Sequence, residues 1–92
     1  MNLTAALQRW AELEPIREHV KWKANDLPAL ECALRDAIEV RGLSWVTGHE
    51  TKVRFIGRLF SEDTAIERDS SSSAAHALLL AYIAYLEGLV KE

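Results

Sequence analysis

The stretch that decides the fold is Lys52-Val53-Arg54-Phe55-Ile56-Gly57-Arg58-Leu59-Phe60. Its side chains alternate almost strictly. In an extended chain this puts Val53, Phe55 and Leu59 on one side and Lys52, Arg54, Ile56, Arg58 and Phe60 on the other. Val53, Ile56 and Phe60 also fit a three-four spacing, so a helix over residues 51–60 stays open as an alternative. Gly57 and the β-branched content favour the strand. Gly57 itself marks either a bulge or a place where another element comes close.

Working outward, Leu43-Ser44-Trp45-Val46-Thr47 is rich in β-branched and aromatic residues and reads as a strand, with Gly48-His49-Glu50 as the turn after it. On the other side Ser61-Glu62-Asp63-Thr64 reads as a second turn, and Ala65 to Arg68 as a short third strand. Three strands joined by tight turns predict a small antiparallel sheet.

The flanks are helical. Leu3, Leu7, Trp10 and Leu13 draw one apolar stripe in a segment running from Asn2 to about Lys23, with Asn2 or Thr4 as its cap. Pro15 predicts a kink there, or a break that opens a second helical piece through Ile16, Val20 and Trp22. A further helix starts at Asp26, carries Pro28 in its first turn and stops at Gly42. It buries Leu27, Leu30, Leu34, Ala37 and Ile38, while Glu31, Arg35 and Glu39 stand four apart outside. Asp69 and Ser70-Ser71-Ser72-Ser73 read as a loop ending in a helix cap. The last helix, Ala74 to about Val90, is apolar around most of its circumference, more than one sheet face can cover. Its length and its polar residues, His76 and Glu87 among them, argue against a membrane span. A homodimer interface through Leu79, Tyr82, Ile83 and Leu86 is one expected cover. The fold class is therefore α+β: a three-stranded antiparallel sheet packed with two N-terminal helices and a long apolar C-terminal helix.

The 92 residues fit one domain, residues 1–92, with 49% apolar and 27% charged residues, an ordinary globular mixture. Such a chain buries only about 60–65% of its unfolded surface, which favours self-association. Eleven basic residues against fourteen acidic ones leave a net charge of −3, which argues against a general polyanion binder. The single cysteine, Cys32, excludes an internal disulfide. No export signal stands out, and a cytoplasmic setting is expected.

Chemistry has little to stand on. His19, His49 and His76 lack partners at metal-ligand spacing, and no phosphate-cradling glycine loop or nucleophile motif occurs. Cys32 reads as a small buried hydrophobe, His76 as a structural residue in a helix's first turn, and His49 as part of a solvated turn. Glu62-Asp63 and Glu67 with Asp69 lack the ligand pattern of a calcium loop. No enzyme, cofactor, metal or small-molecule substrate is expected. A hydrolase using Cys32 or His76 is the weakest alternative.

The informative surface is the side of the central strand bearing Lys52, Arg54, Ile56, Arg58 and Phe60. One explanation covers Ile56 and Phe60 with a helix while the cationic heads reach water along their own stems. The other is a partner-binding stripe of apolar anchors ringed by cations. Three cations without a wider basic patch suit a protein partner better than nucleic acid.

From Leu27 onward the layout resembles the phage ABA sandwich family. The stretches that carry the resemblance are Leu27-Pro28-Ala29-Leu30-Glu31-Cys32-Ala33-Leu34, Lys52-Val53-Arg54-Phe55-Ile56-Gly57 and Asp69-Ser70-Ser71-Ser72-Ser73-Ala74-Ala75-His76-Ala77-Leu78. The resemblance implies helices on both sheet faces and a phage or prophage origin, with no activity to transfer. The function expected is a non-enzymatic protein-interaction module, a phage or mobile-element accessory protein. Its partner would be a host or phage protein, and it would modulate or inhibit a host machine such as a defence system, as anti-CRISPR proteins do. The alternative is a small nucleic-acid-binding regulator that uses Lys52, Arg54 and Arg58, with Lys21 and Lys23.

Overall fold

In the computed structural model, which describes residues 2–14, 26–52 and 54–90, the chain runs α1 (Leu3–Leu13), α2 (Leu27–Val40), β1 (Ser44–Thr51), β2 (Arg54–Phe60), β3 (Ala65–Ser70) and α3 (Ala74–Val90). The three strands form one antiparallel sheet in the order β1-β2-β3, and the fold is α+β. The expected helical piece after Pro15, with Val20 and Trp22, lies outside the described residues, as do His19, Lys21, Lys23 and Val53.

Local chemistry sets the helix ends. Asn2 Oδ1 accepts from the backbone N–H of Ala5 at 2.8 Å, and Asp26 Oδ1 from that of Ala29 at 3.4 Å. Behind α2, Gly42 takes a φ of +76°, the left-handed conformation a glycine adopts without a Cβ penalty. Its N–H donates to the Glu39 carbonyl at 3.0 Å. Ser73 caps α3 through its Oγ, which accepts from His76 N–H at 3.1 Å.

Two strands are longer than their residues suggested. Gly48, His49 and Glu50 are not a turn but part of β1, with Gly48 opposite Ile56 and His49 opposite Phe55. The His49 ring lies against Phe55 at 6.1 Å between centroids. Continuing the ladder satisfies backbone groups that a turn at Gly48 would leave to water. The register shifts only between His49 and Thr51, so β2 begins at Arg54 and Lys52 sits in the connection. β3 likewise runs through Ser70, which pairs with Phe55.

The core lies on one side of the sheet. In β2 the inward residues are Phe55, Gly57 and Leu59, and Leu59 is sealed from solvent with Trp45 and Ile66 beside it in register. At Gly57 an added Cβ would stand 2.3 Å from the backbone nitrogen of Leu78, so α3 rests directly on the strand. Of the two readings of that glycine, a bulge or a close approach, the structure shows the close approach, and it is made by α3.

Helix α3 is apolar all round because neighbours within the chain surround it. The sheet lies under it, α1 packs on it from the other side, and α2 flanks it. Leu79, Tyr82, Ile83 and Leu86 are at most 3% exposed in the single chain. This corrects their assignment to a homodimer interface: a side chain already shielded by α1, α2 and the sheet has no area left for a second copy. Trp10, 1% exposed, belongs to this core. Cys32 is exposed rather than buried, because it lies on the side of α2 opposite Leu30 and Leu34.

Candidate functional site

The outer side of the sheet has no such cover among the described residues. Along β2 it presents Arg54, Ile56, Arg58 and Phe60, along β1 Ser44, Val46, Gly48 and Glu50, and along β3 Ala65, Glu67 and Asp69. The helix expected over Ile56 and Phe60 is absent among the described residues, and so are helices on both sheet faces. All three described helices are committed to the opposite side, where α3 needs them. Val46 is 48% and Phe60 38% exposed, while Ile56 is half-buried.

Register explains the relief of this face. Gly48 stands opposite Ile56 and contributes no side chain, which leaves a shallow recess of about 290 Å³ lined by Val46, Ile56, Arg58 and Glu67. The Arg58 guanidinium lies over the Phe60 ring, 5.9 Å from its centroid. At an exposed site such a contact contributes about 0.5–1 kcal/mol and fixes the direction of the cation.

The cations on the stripe are not equivalent. Arg54 binds Glu50 at 3.0 Å and Asp69 at 2.9 Å, so its charge is already answered. Arg58 has no ion pair among the described residues. Lys52 is exposed but stands in the β1–β2 connection, off the strand face. Of the five residues expected to bind a partner, the structure brings Arg54, Ile56, Arg58 and Phe60 onto one surface. Across the face two arginines meet three carboxylates, Glu50, Glu67 and Asp69.

A second polar constellation lies where the helices meet. Glu14, 8% exposed, ends α1. Its Oε1 accepts from Trp10 Nε1 at 2.8 Å and from the Tyr82 hydroxyl at 2.9 Å, and its Oε2 accepts from Arg41 Nη2 at 2.7 Å. Arg41 Nε also donates to the Tyr82 oxygen at 2.9 Å. Burial pushes the Glu14 carboxyl up, but the hydrogen bonds from Trp10, Arg41 and Tyr82 and the Arg41 charge outweigh it, and the group sits below its ordinary value. Burial pushes the Tyr82 phenol up to about 12, with its bond to Glu14 adding to the effect against the lowering pull of Arg41. These bonds tie α1, the end of α2 and α3 together. Trp10 and Glu14 stand four apart and signal one bond of the set in the sequence. The contributions of Arg41 and Tyr82 have no local signal.

Near the other end of α3, Ser70 Oγ lies 2.7 Å from His76 Nδ1 and accepts from Ser72 N–H at 2.9 Å. His76 is 6% exposed. With Ser73 capping the same turn, these contacts fasten β3 to α3. Among the described residues no group of three or more His, Cys, Asp or Glu side chains is placed to hold a metal ion, and no helix is long and apolar enough to cross a membrane.

Compared with protein-family models, with curated proteins and with solved structures, the chain matches none.

Proposed function

We propose that this chain is a non-catalytic protein-interaction module that works in the cytoplasm and binds through the outer face of its sheet. One observation carries the reading: Phe60 and Val46 are exposed and Ile56 half-buried beside Arg58, a cation that makes no ion pair among the described residues, while α3 packs on the opposite face. Apolar anchors around a directed arginine suit a protein surface that offers an apolar spot and a carboxylate. The setting of a phage or mobile-element accessory protein acting on a host machine rests on the sequence resemblance of residues 27–92.

The nucleic-acid alternative draws less support from this surface. Arg54 is held by two carboxylates, and the face carries more acidic than basic groups, which repels a phosphate backbone.

A photo-cross-linking residue in place of Phe60, with Gln8 on α1 as the control position, tests the reading in cells. A discrete protein adduct from position 60 that disappears with Arg58→Glu, with none from position 8, is the expected result. Adducts of equal yield from both positions, or none from position 60, would overturn it. A nuclease-sensitive adduct would transfer the face to the nucleic-acid reading.

A further inference from the structure

The two edges of the sheet are protected differently. β3 carries three consecutive charged side chains, Glu67, Arg68 and Asp69, and charges on an edge discourage another strand from pairing there. β1 is the longest strand, eight residues, and reads Ser44-Trp45-Val46-Thr47-Gly48-His49-Glu50-Thr51. It holds no proline, lysine or arginine, its one carboxylate is near its end, and its register is regular up to His49. Nothing among the described residues pairs with its outer side. Of the four large exposed apolar residues among the described residues, Val46 lies on β1 and Phe60 pairs with Ser44.

We infer that β1 pairs antiparallel with β1 of a second copy, joining two three-stranded sheets into one of six strands. The sequence of β1 is complementary to itself about Thr47. With Thr47 on the twofold axis, Val46 meets Gly48 of the second copy, Trp45 meets His49, and Ser44 meets Glu50. No like charges oppose one another, threonine pairs with threonine, and an aromatic ring stands opposite a histidine on the helix-covered side. Inward residues meet inward residues, so the pleats of both sheets agree. The pairing sets the outer faces of the two sheets side by side and does not depend on what that face binds.

The register makes the inference testable by charge. Val46 and Gly48 are exposed, and the space around Gly48 is open to an added side chain. In Val46→Lys/Gly48→Lys each lysine directly opposes a lysine of the second copy. In Val46→Lys/Gly48→Glu it opposes a glutamate. Sedimentation equilibrium over a concentration series is expected to show a dimer for the parent chain, a monomer for the double lysine variant and a restored dimer for the lysine–glutamate variant. Circular dichroism checks that each variant is folded. A parent chain that stays monomeric up to its solubility limit would overturn the inference, as would a dimer that survives the double lysine change or one lost equally in both variants. Hydrogen exchange of the parent chain gives an independent reading should a variant fail to fold. Protection of β1 amides must rise with concentration while that of β3 amides stays constant, and equal behaviour of the two edges would reject the pairing.

Discussion

The two sides of β2 are built from one alternating sequence and have opposite fates. Inward, Gly57 lets the backbone of α3 settle on the strand and Leu59 is sealed. Outward, one residue along, Ile56, Arg58 and Phe60 meet water. Alternation separates two sets of residues but does not say which set is covered. The glycine does, because only the side that lacks a Cβ admits a helix at this distance.

The contrast is broken most severely at its closest contact. Gly57→Val places side-chain atoms where the Leu78 backbone now lies, and neither strand nor helix can yield without parting the two layers. A loss of about 3 kcal/mol in urea unfolding is expected, and a loss no greater than that of an outer-face change would show that the two sides do not differ as described.

Glu14→Ala is next. It removes the carboxylate that accepts from Trp10 Nε1 and the Tyr82 hydroxyl and that pairs with Arg41, an expected cost of about 2 kcal/mol by the same assay. The parent chain reads the same group by pH. Because the fold holds the Glu14 carboxyl below its ordinary 4.5, its contribution is present above that pH and is lost as pH falls through the lower folded value. The Glu14→Ala chain should show a smaller acid-side loss.

A smaller effect belongs to Tyr82, whose phenol should ionise at about 12. The fold favours the neutral phenol, so this contribution is whole below pH 10 and declines as pH rises from 10 through about 12. Ultraviolet titration of the phenolate band should lose its latest component in Tyr82→Phe. Smallest of all is Arg58→Ser on the open face, which should change unfolding free energy by no more than about 1 kcal/mol, the worth of its contact with the Phe60 ring. A larger change would mean that Arg58 holds the fold together rather than facing a partner.

Much of the architecture was legible because it depends on neighbours in the chain. Asn2, Asp26 and Gly42 mark helix ends by bonds reaching three residues, Pro28 marks a first turn that needs no N–H from it, and Gly57 marks a bulge or a close approach by what it lacks. The end of β1 was misread, since Gly48 resembles a turn residue until β2 supplies its ladder partner. The stripe of Arg54, Ile56, Arg58 and Phe60 was visible as a stripe, but its openness was not. Nothing in residues 52–60 records where α1 and α2 pack. The Glu14 constellation was hidden for the same reason: Tyr82 lies 68 residues away from Glu14 and Arg41 lies 27 away.

The sequence by itself favoured the kind of each element, with a helix over residues 51–60 left open, and set their order and the two sets of side chains an extended central segment would carry, because periodicity and capping act over a turn of helix or a few residues of strand. Only the tertiary structure decided that the chain's own helices enclose α3, that Glu14 is held among Trp10, Arg41 and Tyr82, and that no described helix covers the outer face of the sheet. These outcomes depend on which distant surfaces compete for the same apolar area. Once α3 had claimed α1, α2 and the inner face of the sheet, none of the described helices was left for the outer one.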